Sequence, residues 1–155
     1  MYKYLRKHLI NLRLTTKEVS IEELGKAVIK DQERLFKDVK RNKIIKEFFL
    51  LQKCNCVELY FVVEDISSNI VNSLVKFWAD HAFQLTQKLQ PKIVKEKDLE
   101  AAYHLIRVAT SLESLLIGDA QVLGQLREAR KIATEKRTIG PVLNLLLKYA
   151  DRAGS

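Results

Sequence analysis

Hydrophobic and polar positions change period several times along this chain, and each change marks an element. Leu9, Ile10, Leu12 and Leu14 give an imperfect period-two alternation, which predicts a first strand. Ser20-Ile21-Glu22-Glu23 has the composition of a capping box, with a hydroxyl for an orphan N–H and a carboxylate reaching back. Leu24, Val28, Leu35 and Val39 continue from it at helical spacing, predicting one helix of about five turns. Asn42 and Lys43 turn the chain into a second strand over 44–53, and Val57, Leu59, Phe61 and Val63 alternate as a third. Asp65 or Ser67 then caps a helix whose apolar positions include Ile70, Leu74, Phe77, Trp78, Ala82 and Leu85. Pro91 stops that pattern, and 92–95 reads as a short fourth strand at a sheet edge.

The order β-α-β-β-α-β predicts an α+β fold of the ferredoxin-like kind, an antiparallel sheet with helices on one face. From residue 98 onward the period is helical, over 99–111, 119–136 and 139–150. The chain therefore divides into a ferredoxin-like core over 1–96 and a helical extension over 97–155 that completes the domain. No closing element follows at 151–155, so a domain boundary within a longer protein is expected there.

Chemistry concentrates where the second strand meets the third. Lys53-Cys54-Asn55-Cys56 puts a thiol at a hairpin turn between charged and polar neighbours, whereas a structural cysteine sits among apolar ones. A neighbouring ammonium favours the thiolate, the form that attacks carbonyl carbon. An inert turn cysteine is the competing reading, and a Cys-x-Cys pair with a histidine as a soft-metal site is a third. Two cysteines at i and i+2 form no disulfide framework, which suits a reducing cytoplasm.

Charge adds a partner class. The 155 residues carry 27 basic and 19 acidic side chains, a net charge of +8, which suggests an anionic partner such as nucleic acid or merely serves solubility. The five glycines (Gly25, Gly118, Gly124, Gly140, Gly154) form neither G-x-G-x-x-G nor a P-loop, so no recognisable dinucleotide or nucleotide site is expected in this chain. Apolar runs are too short to cross a bilayer, and the N-terminus has no signal-peptide apolar core, so no membrane partner is expected.

Two blocks resemble one family. Residues 50–60, Leu50-Leu51-Gln52-Lys53-Cys54-Asn55-Cys56-Val57-Glu58-Leu59-Tyr60, are similar to the L-L-[ST]-T-C-N-R-[TV]-E-[IL]-Y nucleophile segment of glutamyl-tRNA reductases. Residues 104–125, from His104-Leu105-Ile106-Arg107 through Gly118-Asp119-Ala120-Gln121 to Gly124-Gln125, resemble that family's H-L-F-R-V-A-x-G-L-D-S-x-x-x-G-E-P-Q-I-L-G-Q signature. The first forty residues agree only in layout, with Leu14-Thr15-Thr16 where the family has His-Lys-Thr. The family continues into a spinal helix, an NADPH-binding Rossmann domain and a dimerisation bundle, so the chain resembles the N-terminal catalytic domain alone.

The resemblance implies roles. Cys54 would attack the ester of glutamyl-tRNA and form a glutamyl thioester, which NADPH held by another domain would reduce to glutamate-1-semialdehyde, the first step of the five-carbon tetrapyrrole (haem) route. His104 would assist proton transfer, the alternative being a helix-face histidine in contact with Arg107. Lys53, Asn55, Cys56, Ser114, Asp119, Ala120, Gln121 and Gln125 fall at substrate-binding positions, while Glu58 matches the nucleophile segment or is a solvent-facing strand residue pairing with a lysine. Also implied are a cytoplasmic homodimer formed through the other domains, glutamate-1-semialdehyde aminomutase as a downstream partner, and no metal.

Two departures stand out. Cys56 replaces an arginine expected to grip the substrate carboxylate bidentately, and as the second residue along a strand it would share a face with Cys54. Lys53 replaces Thr or Ser and offers a point charge nearby. A non-catalytic module holding aminoacyl-tRNA or another RNA is the competing function, with Phe48, Phe49, Tyr60 and Phe61 as stacking aromatics or, alternatively, as core.

Overall fold

The computed structural model describes residues 7–110 and 122–155. Four strands, β1 (His8–Thr15), β2 (Glu47–Lys53), β3 (Cys56–Val63) and β4 (Val94–Lys97), form one sheet in the order β2-β3-β1-β4. Every neighbouring pair is antiparallel, which is the ferredoxin-like arrangement expected from the element order.

Alternation along the strands sorts residues into two layers. Ile10, Leu12 and Leu14 of β1 face Phe61, Leu59 and Val57 of β3 across the register, and Phe48 of β2 faces Phe61. Helices α1 (Ile21–Ala27), α2 (Gln32–Arg41) and α3 (Ser68–His81) cover this side. Edge-to-face contacts of Phe36 with Phe48 and of Phe77 with Phe61 fix α2 and α3 there. The opposite side carries Glu47, Phe49, Glu58, Tyr60 and Val62, and the C-terminal helices α4 (Asp98–Ala109), α5 (Val122–Glu135) and α6 (Pro141–Gly154) pack on it. All eight residues of β3 are consequently buried. Phe49 and Tyr60 stack face to face at 4.4 Å, and all four sheet aromatics are fully buried, so none is exposed for base stacking.

The first predicted helix is two. Ser20 caps α1 with the full capping box, yet the chain leaves the helix at Val28 and starts again after Asp31, whose carboxylate accepts from Arg34 N. The interruption is stable because its backbone groups find partners elsewhere. The Gln52 amide of β2 bonds both N–H and C=O of Ile29, at 2.9 and 3.0 Å, and Trp78 Nε1 donates to Ala27 O. Hydrophobic spacing alone cannot see such tertiary partners. Other boundaries move by a few residues for local reasons. Asn42 Oδ1 accepts from Ile44 N and Ile45 N, holding that stretch in a turn before β2. Pro91 enters a 3-10 turn over Gln90–Lys92, which pushes β4 two residues later. Ser67 caps α3, while Asp65 accepts from Ser67 N.

Glu47 ties the second helical layer to the sheet. This buried carboxylate accepts from Gly140 N, Val142 N and Leu143 N, so a strand residue acts as the cap of α6. A Cβ on Gly140 would come within 2.8 Å of the Glu47 side chain. Glu47→Ala is expected to lower unfolding stability by roughly 2–4 kcal/mol, because three helix-end donors lose their acceptor. Gly140→Ala should cost about 1–3 kcal/mol through the clash. Urea unfolding measures both, and wild-type midpoints would remove Glu47 as the anchor.

His81 predicts a pH dependence. Its side chain is 3% exposed, Nε2 lies 3.1 Å from Asp38 Oδ2, and Nδ1 has no hydrogen-bond partner. Burial, reinforced by Arg34, holds the imidazole below its usual range, against the smaller opposing pull of Asp38, Asp80 and Asp31. The unfolded chain then binds a proton that the folded chain resists, so stability falls as pH drops below about 6.5. The urea midpoint should fall between about pH 7.5 and about pH 5 in the wild type and fall less in His81→Gln. Equal falls in the two proteins would assign the effect elsewhere.

Candidate active site at the tip of the β2–β3 hairpin

Lys53 pairs directly with Cys56, so the hairpin closes over two residues, Cys54 and Asn55. Asn55 O accepts from Thr16 N at 3.2 Å, which fastens the tip to the loop after β1. The two thiols occupy different surroundings: Cys54 is exposed in the turn and Cys56 is buried in the first position of β3. They do not share a strand face, because Cys54 belongs to the turn.

A cavity of about 150 Å³ opens beside this tip, lined by Arg13, Thr15, Lys17, Glu18, Lys53, Asn55, Cys56, Glu58, His104, Val108 and Val122. That is the space of about five waters. Cys54 is at its edge in sequence, between two lining residues, and is not itself a lining residue. Thr15 faces Cys56 across the register and Arg13 faces Glu58. The β1 end is stiffened locally: Glu18 Oε1 accepts from both Thr15 N and Thr15 Oγ1, and Thr15 Oγ1 accepts from Lys17 N. Arg13 is committed to Asn11 Oδ1 and to an ion pair with Glu96.

The buried polar centre is Glu58. It is 2% exposed, and its Oε1 accepts from Tyr60 O–H at 2.8 Å while lying 2.8 Å from His104 Nε2. It is thus neither solvent-facing nor paired with a lysine, and His104 faces Glu58 from α4. The strand and helix are brought together here because α4 packs directly on β1. Burial and the Glu58 carboxylate raise the Tyr60 phenol well above its ordinary range, so it remains a donor. A carboxylate that accepts both bonds puts the imidazole proton on Nε2 and leaves Nδ1 as the basic nitrogen.

Burial pushes the Cys56 thiol up to about 12, with Glu58 adding to the rise and Lys53 opposing it. At neutral pH only about one Cys56 in 10⁵ is a thiolate, so this thiol is a wall and not a nucleophile.

The cavity gathers Lys53, Asn55, Cys56 and His104 from the residues singled out in the sequence. Gln125 is exposed on α5 and lines a second cavity with Gln52 and Glu128. Ser114, Asp119, Ala120 and Gln121 lie outside the described residues. Arg13, Lys17 and Glu18 escape a reading of motifs, and Thr15 enters it only within Leu14-Thr15-Thr16, although polar Asn11, Arg13 and Thr15 alternate with buried Ile10, Leu12 and Leu14. That polar alternation was the available signal for a functional face on β1.

Among the described residues no group of three or more His, Cys, Asp or Glu is placed to hold a metal ion, and no helix is long and apolar enough to cross a membrane. Nor do the described residues fit a nicotinamide cofactor: their strands are antiparallel, and among them no glycine-rich turn joins a strand to a helix.

Comparison with known proteins agrees with this geometry. Residues 12–155 match the family model described as glutamyl-tRNA(Glu) reductase, N-terminal domain. A glutamyl-tRNA reductase of Streptococcus sanguinis is 41% identical over 146 residues, covering 92% of this chain and 34% of that protein. One from Prochlorococcus marinus is 30% identical over 149 residues, covering 95% and 34%. The solved glutamyl-tRNA reductase from Methanopyrus kandleri superposes with a TM-score of 0.77 at 27% identity, covering 94% of this chain and 33% of that one. The chain therefore spans about one third of the length of these relatives. With a thiol at the hairpin tip, a buried Glu–His pair in the cavity that opens next to that tip, a ferredoxin-like sheet and a family match over nearly all its length, the chain belongs to the glutamyl-tRNA reductase N-terminal domain family.

Proposed function

We propose that this chain performs the acyl-transfer half of glutamyl-tRNA reduction, with Cys54 as the nucleophile. The observation that carries the reading is the division of labour between the two thiols. Cys54 is open to solvent at the tip, whereas Cys56 is held protonated in the cavity wall. In the proposed step the Cys54 sulfur bonds to the ester carbonyl carbon, the carbonyl–ribose oxygen bond breaks, and the thiol proton ends on the released ribose hydroxyl. His104, fixed by Glu58 and Tyr60, is the group suited to carry that proton. Lys53 and Lys17 supply the positive charge that suits a substrate carboxylate where the family's arginine is absent. Asn55 offers amide donors, and Ser114, Asp119, Ala120, Gln121 and Gln125 complete the proposed substrate set.

Reduction to glutamate-1-semialdehyde by NADPH belongs in this reading to protein outside this chain, since none of the described residues fits the cofactor. A cytoplasmic homodimer handing its product to glutamate-1-semialdehyde aminomutase is part of the same proposal. The test is incubation of the protein with radiolabelled glutamyl-tRNA followed by an acid quench. Label covalently attached to the chain is expected. Glutamyl-tRNA as intact as in a protein-free control, with no label on the chain, would overturn the reading.

A further inference from the structure

Phe83 is 67% exposed, a large aromatic surface left in water just after α3. Lys30 Nζ sits 5.1 Å from its ring centroid, so the ring already carries a cation on one face. The main chain beneath is held from below. Phe83 N donates to Val28 O at 3.0 Å and Gln84 N to Lys26 O at 2.8 Å, which locks this segment onto the α1–α2 break. Lys26 and Lys30 are both exposed; Asp31, next to Lys30, points its carboxylate at Arg34 N as the α2 cap, and Glu23, three residues before Lys26, is held by Ser20 N and Lys92.

The same break is fastened to the hairpin. Both backbone groups of Ile29 are bonded by Gln52, two residues before Cys54. Phe83 and its lysines thus stand in a fixed relation to the proposed nucleophile, through two short hydrogen-bonded links. An exposed aromatic ring, flanked by ammonium groups and rigidly referred to an acyl-transfer site, has the chemistry of a surface for single-stranded nucleic acid. Bases stack on the ring and phosphates meet the cations.

We propose that Phe83, Lys30 and Lys26 form a stacking platform for an unpaired nucleobase near the 3′ end of the RNA whose aminoacyl group reaches Cys54. This inference rests on the acyl-transfer reading for the identity of the RNA. It assigns the contact to the helical layer beside the hairpin, because the aromatics of the sheet itself are fully buried.

The experiment compares two acyl donors, glutamyl-tRNA and a small glutamyl ester without nucleobases, in wild type, Phe83→Ala and Phe83→Tyr. With glutamyl-tRNA, Phe83→Ala should acylate about tenfold more slowly at limiting substrate, with Phe83→Tyr close to wild type. With the small ester all three proteins should be equal. Equal rates for Phe83→Ala and wild type on glutamyl-tRNA would overturn the platform, as would an equal loss on both donors. Binding of a short single-stranded RNA with the tRNA 3′ sequence separates the two ideas. If wild type is acylated by neither donor, the acyl-transfer reading fails. Weaker oligonucleotide binding by Phe83→Ala than by wild type would then still support the platform, and equal binding would end it.

Discussion

A Cys54→Ser variant is expected to take up no glutamyl label, and Cys56→Ser to be labelled at a rate within about threefold of wild type. This pair of results follows from where the hairpin puts each sulfur. Only Cys54 lies in the turn, and Cys56 is closed off by β1 on one side and by the carboxylate of Glu58 on its own strand face. Loss of a nucleophile removes the covalent route, so a fall of about 10³-fold or more in single-turnover acylation is expected for Cys54→Ser. Serine at position 56 is slightly smaller than the buried thiol and stays neutral, so the cavity wall keeps its charge and nearly its shape. Label retained in Cys54→Ser and lost in Cys56→Ser would reverse the assignment. It would require the buried thiol to ionise despite Glu58.

Glu58→Gln is expected to slow acylation by roughly 10²-fold while leaving Cys54 in place. Glu58 Oε1 receives two donors, Tyr60 O–H and the His104 ring nitrogen, and an amide cannot serve both partners in the same way. If its oxygen stays with Tyr60, its NH2 group meets His104 Nε2 and forces the ring proton onto Nδ1, the nitrogen that the proposed proton transfer uses as a base. Exchanging the carboxylate for a neutral amide also weakens both buried hydrogen bonds, so unfolding stability should drop by about 1–2 kcal/mol. Two readouts separate these consequences. Single-turnover acylation at one pH should report the loss of the proton carrier, and urea unfolding should report the stability loss. A stability loss with wild-type acylation would reduce Glu58 to a packing role.

Much of this was legible in the chain. Strand alternation in β1 and β3, the Ser20 capping box and the Ser67 cap, and the stop at Pro91 are local effects, and local effects leave their mark in sequence. The hairpin tip at Cys54 was legible for the same reason. What was not legible depends on partners distant in sequence. The α1–α2 break is paid for by a glutamine 23 residues away, and the α6 cap comes from a strand residue 93 positions earlier than Gly140. Glu58 illustrates the limit best. Its place two residues from Tyr60 put both on one face, but whether that face met water or α4 depended on how the C-terminal helices docked. The burial of Cys56, and with it the suppression of its acidity, depended on the same docking.

That docking has a consequence for how such a domain is inherited. The sheet is a party wall: β3 gives its odd positions to the first helical layer and its even positions to the second. The residues proposed to act chemically come from the wall and from one tenant, Cys54, Asn55 and Glu58 from the hairpin and His104 from the later helices. A change in either half is therefore judged by the other, and pieces exchanged between relatives at the junction near residue 97 would have to travel as matched halves.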